Sequence, residues 1–199
     1  MLDVRERLAV VVGGGPVGLR KATALLAAGA AVRIVAESPP ADPPSGAEIV
    51  VEPYRPEHLS GAALVFACTD DRALNAAIAS DARQAGALVN AADQPDDCDF
   101  YLPAVLRKGE LVVAIGTGGA APALAGHLKE TLAAALPSGV AEFVCLLRQI
   151  REELKVKLPD AQLRWTAMKR LAGPEGLDAF LEGGKEAVYN LLTQITARH

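Results

Sequence analysis

The first ninety positions alternate between short, continuous apolar runs and longer segments with helical periodicity. Leu8 to Val12, LAVVV, is apolar throughout and too short for a helix, so it reads as a strand buried on both faces. GGGPVG then punctuates the chain, and LRKATALLAAGA follows with Leu19, Ala22, Leu25 and Leu26 at helical spacing. AVRIVAE at 31–37 is a second β-rich run, and SPPADPPSG after it belongs to neither helix nor interior strand. EIVVEP and ALVFACT are further strand candidates. DRALNAAIASDARQAG has the composition and length of a helix, opened by an Asp71 cap and closed by Gly86, and ALVNAAD completes the alternation.

Strands separated by helices imply parallel pairing through right-handed crossovers. The expected fold class is therefore α/β: a Rossmann-like, doubly wound parallel sheet. The pattern changes after residue 98. DFYLPAVLRKGELVVAIG reads as two strands joined by a Lys108-Gly109 turn, and beyond Gly118 only helices are expected, over 121–135, 138–157, 159–171 and 184–197. Pro137, Pro159 and the GPEG and EGGK segments are read as the breaks. The expected organisation is a nucleotide-binding domain over 1–98, a dimerisation and active-site segment over 99–137, and a helical domain over 138–199.

Composition narrows the function. The 199 residues, 51% hydrophobic and 22% charged, are enough for one good core and a smaller appended unit. A formal net charge of −4 gives no general electrostatic reason to bind nucleic acid or an anionic membrane. Cys68, Cys98 and Cys145 make no CxxC pair, zinc spacing or disulfide framework, which suits a reducing cytosol. The apolar run near the start is too short for a signal peptide or a spanning helix, so a cytoplasmic protein is expected.

Gly13, Gly15 and Gly18 stand at G-x-G-x-x-G spacing, after a strand and at the opening of a helix. In this context the first glycine permits the turn, the second lets a pyrophosphate approach the backbone, and the third allows close helix–strand packing. Gly14, Pro16 and Val17 complete the loop, and a glycine turn without a ligand is the competing reading. Glu37 closes the second strand about 20 residues on, where a carboxylate can accept a ribose hydroxyl and favour NAD over NADP; a solvated charge is its alternative. GTGGAAP at 116–122 is a second glycine turn before a helix, with Pro122 suited to the first turn. The Thr117 hydroxyl and the N–H groups of Gly118 and Gly119 could meet a carboxylate or phosphate, or simply form the turn. His58, His127 and His199 are scattered and no metal site is expected; the acidic DQPDDCD segment reads as solvated. Asp93, in VNAADQPDDCDFYLPA, poses the sharpest choice, because an aspartate before a proline loop commonly caps its own turn.

The glycine loop, CTDD, the Asn90-to-Asp93 N-x-x-D, FYLPA and the GTGG…P loop together resemble the precorrin-2 dehydrogenase family, the dehydrogenase and ferrochelatase module of sirohaem synthases. The likeness runs from about residue 7 to 136 and continues more loosely beyond. It implies NAD-dependent oxidation of precorrin-2 to sirohydrochlorin, with ferrous iron insertion in some members. Carried onto this chain, it puts Thr69, Asp70 and Asn90 on the cofactor side of the strand ends, Asp93 at the catalytic aspartate and Thr117 beside the tetrapyrrole. It also implies a homodimer. Because the substrate carries eight carboxylates, Arg20, Lys21, Arg107 and Lys108 are candidates to line its cleft.

Family members commonly begin some residues earlier, so an edge strand is expected to be missing or the start truncated. Ala120 and Ala121 stand where hydroxyl-bearing residues are often seen, which weighs against iron insertion. No methyltransferase domain fits in the remaining length. Two other functions stay open: a non-catalytic NAD-sensing module, and a metal chelatase that keeps the nucleotide fold as scaffold.

Overall fold

A computed structural model describes residues 2–197, and the chain divides into two compact units, Met1–Leu102 and Pro103–His199. In the first, strands β1 (Leu8–Val12), β2 (Ala31–Ala36), β3 (Glu48–Val51), β4 (Ala62–Ala67) and β5 (Leu88–Ala91) form one parallel sheet in the order β3-β2-β1-β4-β5. The all-apolar β1 run lies at its centre, paired with β2 on one side and β4 on the other.

Side chains alternate between two cores, as the pleat requires. Val10 and Val12 pack with Ile78, Ala79 and Ala82 of α2 (Arg72–Gln84), while Ala9 and Val11 pack with Ala22 and Leu25 of α1 (Pro16–Ala27). Helices thus cover both faces, which is why β1 carries no polar residue. Sequence order reverses between β1 and β4, and in an open parallel sheet that reversal opens a crevice at the strands' carboxyl ends. Asp71 caps α2 as its position suggested, accepting from the Ala73 and Leu74 N–H groups at 2.8 and 3.2 Å.

The second unit begins with an antiparallel hairpin, β6 (Ala104–Lys108) and β7 (Leu111–Ile115), turned through Gly109 at φ +57. A positive φ is what a two-residue hairpin turn demands. Helices α3 (Pro122–Ala135), α4 (Val140–Lys157), α5 (Ala161–Leu171) and α6 (Pro174–Thr196) follow. Phe143, Leu146, Ile150 and Leu154 form one stripe of α4 and bury against Ala167 and Leu171 of α5 and Val188, Leu191 and Ile195 of α6.

GPEG proves to be a helix start and not a gap. Gly173 is the N-cap and Pro174 the first helical residue, so 174–183 is helical where the sequence suggested a break. The expected interruption near 184 is present as a kink at Gly184, with φ +63 and ψ −154.

Candidate functional site

The three fingerprint glycines do different physical work. A Cβ on Gly13 would overlap the Cys68 carbonyl oxygen, and Gly13 also lies at φ +116. A Cβ on Gly18 would overlap the Gly13 carbonyl oxygen and press on Val11 Cγ1. Both are forced by packing. Gly15 is neither: its φ of −75 suits any residue, and a Cβ there meets nothing within 4 Å. Nothing inside the protein requires glycine at 15, and the space before it is open. Gly15 is also the N-cap of α1 and offers no side-chain cap. Pro16 has no N–H and Leu19 bonds back to Gly15, so the Val17 and Gly18 N–H groups face outward at the positive end of the helix.

Gly13, Gly14 and Gly15 line a cleft of about 550 Å3 at the carboxyl ends of the strands. Glu37, the first residue after β2, lines it and is exposed; Glu52, Thr69, Asp70 and Asp71 also line it. No Lys, Arg or His is among its lining residues. An anion here must be held by backbone N–H groups, and the Glu37 end repels additional negative charge. Glu52 is held as an anion below the usual carboxylate range, chiefly by the hydrogen bond from His58 (2.8 Å) and also by Arg55. Thr69 is fixed by Asn75, which is 2% exposed: the Thr69 N–H and hydroxyl donate to Asn75 Oδ1 at 3.1 and 2.7 Å, while Asn75 Nδ2 donates to the Thr69 carbonyl at 2.9 Å. Sequence reading missed Asn75; its signal was a poor helix former in an alanine-rich helix.

The β5 end carries the second part of the site. Asp99 returns the loop to the strand, accepting from the Val89 N–H at 3.0 Å while its own N–H donates to the Val89 carbonyl at 2.8 Å. Arg83 donates to its other oxygen at 2.9 Å. The Val89 hydrogen bond first, then Arg83, holds the Asp99 carboxyl below the ordinary range. Cys98 Sγ sits 3.3 Å from the Ala91 nitrogen and 3.2 Å from its carbonyl oxygen, and Gln94 Nε2 donates to the Arg72 carbonyl at 3.2 Å. Within this anchored loop Asp93 is exposed at φ +58, a left-handed conformation that aspartate tolerates better than most residues. Among the described residues its carboxylate accepts no hydrogen bond, unlike Asp71, Asp99 and Asp160, which all bind backbone N–H groups. The local pattern suggested a turn cap; Asp93 caps nothing.

Asn90, 6% exposed, has its amide committed within the fold: Oδ1 accepts from Lys21 Nζ at 2.6 Å and Nδ2 donates to the Phe100 carbonyl at 2.9 Å. Lys21, expected with Arg20 to meet substrate, therefore turns inward, whereas Arg20 is exposed.

In the second unit, the turn before α3 has Gly118 at φ +60 and Gly119 at φ +83, with nothing within 4 Å of a Cβ at Gly116, Gly118 or Gly119. The Ala121 N–H donates to Thr117 Oγ1 at 3.2 Å, leaving the hydroxyl proton free to donate. Arg107 is exposed; Lys108 Nζ donates to the Ala133 carbonyl at 3.0 Å, in the last turn of α3. Among the described residues no group of three or more His, Cys, Asp or Glu is arranged to hold a metal, and no single helix is long and apolar enough to cross a membrane. His58 is tied to Glu52 and to the Arg55 N–H, His127 is exposed on α3, and His199 lies outside the described residues.

Comparison with known proteins agrees with this geometry. A family model described as "Putative NAD(P)-binding" matches residues 1–104. The chain is 34% identical over 198 residues to a siroheme synthase of Methylococcus capsulatus, covering 97% of this chain and 42% of that protein. It is 40% identical over 174 residues to siroheme synthase 1 of Pectobacterium atrosepticum, covering 85% of this chain and 36% of the relative. It thus spans roughly two fifths of the length of these curated relatives. Among solved structures, SirC, a precorrin-2 dehydrogenase, shares the fold with a TM-score of 0.73 at 22% identity, covering 99% of this chain and 98% of that one.

Proposed function

We propose, for a chain that belongs to the NAD(P)-binding family, that it oxidises precorrin-2 to sirohydrochlorin with NAD. The observation that carries the reading is Asp93: an anchored, exposed carboxylate at the carboxyl end of a parallel strand, in a left-handed conformation and capping nothing. Strained, unemployed groups at that edge of an open α/β sheet are what catalysis uses.

NAD, when bound, supplies a hydride acceptor at its nicotinamide. Gly13, Gly14 and Gly15 form the floor for its pyrophosphate, the Val17 and Gly18 N–H groups follow Pro16 at the helix end, and Glu37 takes the ribose hydroxyls. Thr69, Asp70 and Asn90 border the nicotinamide side. The acidic, cation-free lining supports NAD over NADP, because a third phosphate would find no counter-charge. Asp93 receives the proton that leaves as the new carbon–carbon double bond forms, so one hydride and one proton leave the substrate per turnover. Arg20, and in the second unit Arg107, Lys108, Thr117, Gly118 and Gly119, are our candidates for its carboxylates.

A homodimer is supported by Leu124, Leu128 and Leu132, 50%, 39% and 41% exposed on one stripe of α3, with Val105 of β6 also exposed. Leu128→Asp should shift the protein to monomer in sedimentation velocity. The three free cysteines suit the cytoplasm.

The test is anaerobic absorbance spectroscopy of the protein with precorrin-2 and NAD. Sirohydrochlorin and NADH should appear together in equal amounts. If folded protein gives neither, the reading fails.

A further inference from the structure

Lys21 is a half-buried cation whose hydrogen bond is to a neutral group. It sits in the second turn of α1, its Nζ 2.6 Å from Asn90 Oδ1 and 5.1 Å from the centre of the Phe66 ring. Phe66 meets Phe100 edge-on at 5.6 Å, and Phe100 is the residue whose carbonyl Asn90 holds. Burial, the largest influence, pushes the Lys21 pKa down. The titratable and charged groups that face it are Cys68 just after β4, Cys98 and Asp93 after β5, and Arg20 on its own helix. Cys68 is no counter-ion, because burial raises its thiol to about 11 and keeps it neutral. A buried cation facing an amide is costly unless some anion draws on it. Of the groups around it, Asp93 is the carboxylate.

We infer that Lys21 is a positioning residue of the oxidation site: it locks the Asn90 amide that ties down the Asp93 loop, and its ammonium faces the Asp93 carboxylate. A neutral amide can present either end to a neighbour; an ammonium only donates and so pairs only with the amide oxygen, which directs Nδ2 to the Phe100 carbonyl and sets the loop's return path. The inference deepens the dehydrogenase reading and rests on it.

Its test compares Lys21→Met and Lys21→Arg with the wild-type chain in two measurements. In steady-state kinetics with precorrin-2, Lys21→Met should lose about tenfold or more in kcat while keeping NAD affinity within about twofold. Lys21→Arg, which keeps a donor for Asn90 Oδ1, should recover kcat towards the wild-type value. Equal losses of kcat in both variants would reduce Lys21 to a packing residue and overturn the inference. The second measurement needs no turnover: NMR of isotope-labelled methyl groups on the lysine amines, with the Lys21 signal assigned by its loss in Lys21→Met. That signal should titrate below those of the other lysines and lower still in Asp93→Asn. An unchanged Lys21 titration in Asp93→Asn overturns the coupling even if the protein proves to have another substrate, whereas a changed one with no oxidation of precorrin-2 faults only the dehydrogenase reading.

Discussion

The two glycine turns have similar sequences, GGGPVG and GTGGAAP, and each leads into a helix with proline at its first position. They are built on different physics. In the first, Gly13 and Gly18 are fixed by carbonyl oxygens that leave no room for a Cβ, and one glycine, Gly15, is left with no internal reason. In the second, space is open around every glycine, and Gly118 and Gly119 are required by their positive φ alone. Gly116, like Gly15, has neither a positive φ nor a neighbour for a Cβ, so each turn leaves one glycine with no internal reason, and what separates the turns is the packed joint around the first. Spacing cannot separate the two cases, but the surroundings of each missing Cβ can.

Substitutions sharpen that contrast. Gly18→Ala should be the most damaging, because backbone on both sides of the overlap cannot move away; we expect a loss of about 3 kcal/mol or more in chemical denaturation. Gly15→Asp should leave stability unchanged or slightly raised, since aspartate is a better N-cap than glycine, yet weaken NAD at least about tenfold in calorimetric titration. If Gly15→Asp binds NAD like wild type, the open space before Gly15 is not the pyrophosphate site. Gly118→Ala should cost about 1–2 kcal/mol from left-handed strain, with NAD affinity untouched.

The smallest effect concerns the Asp93 loop. Asp99 is more acidic folded than unfolded, so its stabilisation is complete above the ordinary carboxylate range and disappears as pH falls below it. The protection factor of the Val89 amide, taken relative to intrinsic exchange at each pH, should fall on acidification through that window, and Asp99→Asn should remove that pH dependence.

Much of the fold was legible because the apolar runs of the first unit are buried on both faces and their spacing leaves one parallel arrangement. The helix at 174–183 was not, because glycine and proline are read as breakers while here they serve as N-cap and first residue. At the site, the glycine spacing and Asp93 could be picked out, but not what they do. Asp93 looked like a turn cap, and only the hydrogen bonds of Asp99, Cys98 and Gln94 reveal a loop anchored by other groups. Lys21 looked like a candidate for the substrate cleft; its partner Asn90 is 69 positions away in sequence, beyond any local pattern.

The most direct test of the account is a single-turnover experiment with precorrin-2 and NAD, comparing wild type with Asp93→Asn while NAD affinity is measured on the same samples. The account predicts NADH formation by the wild type, NAD binding unchanged within about twofold in the variant, and a rate lower by about a hundredfold to ten-thousandfold. An Asp93→Asn protein that forms NADH at the wild-type rate would contradict it.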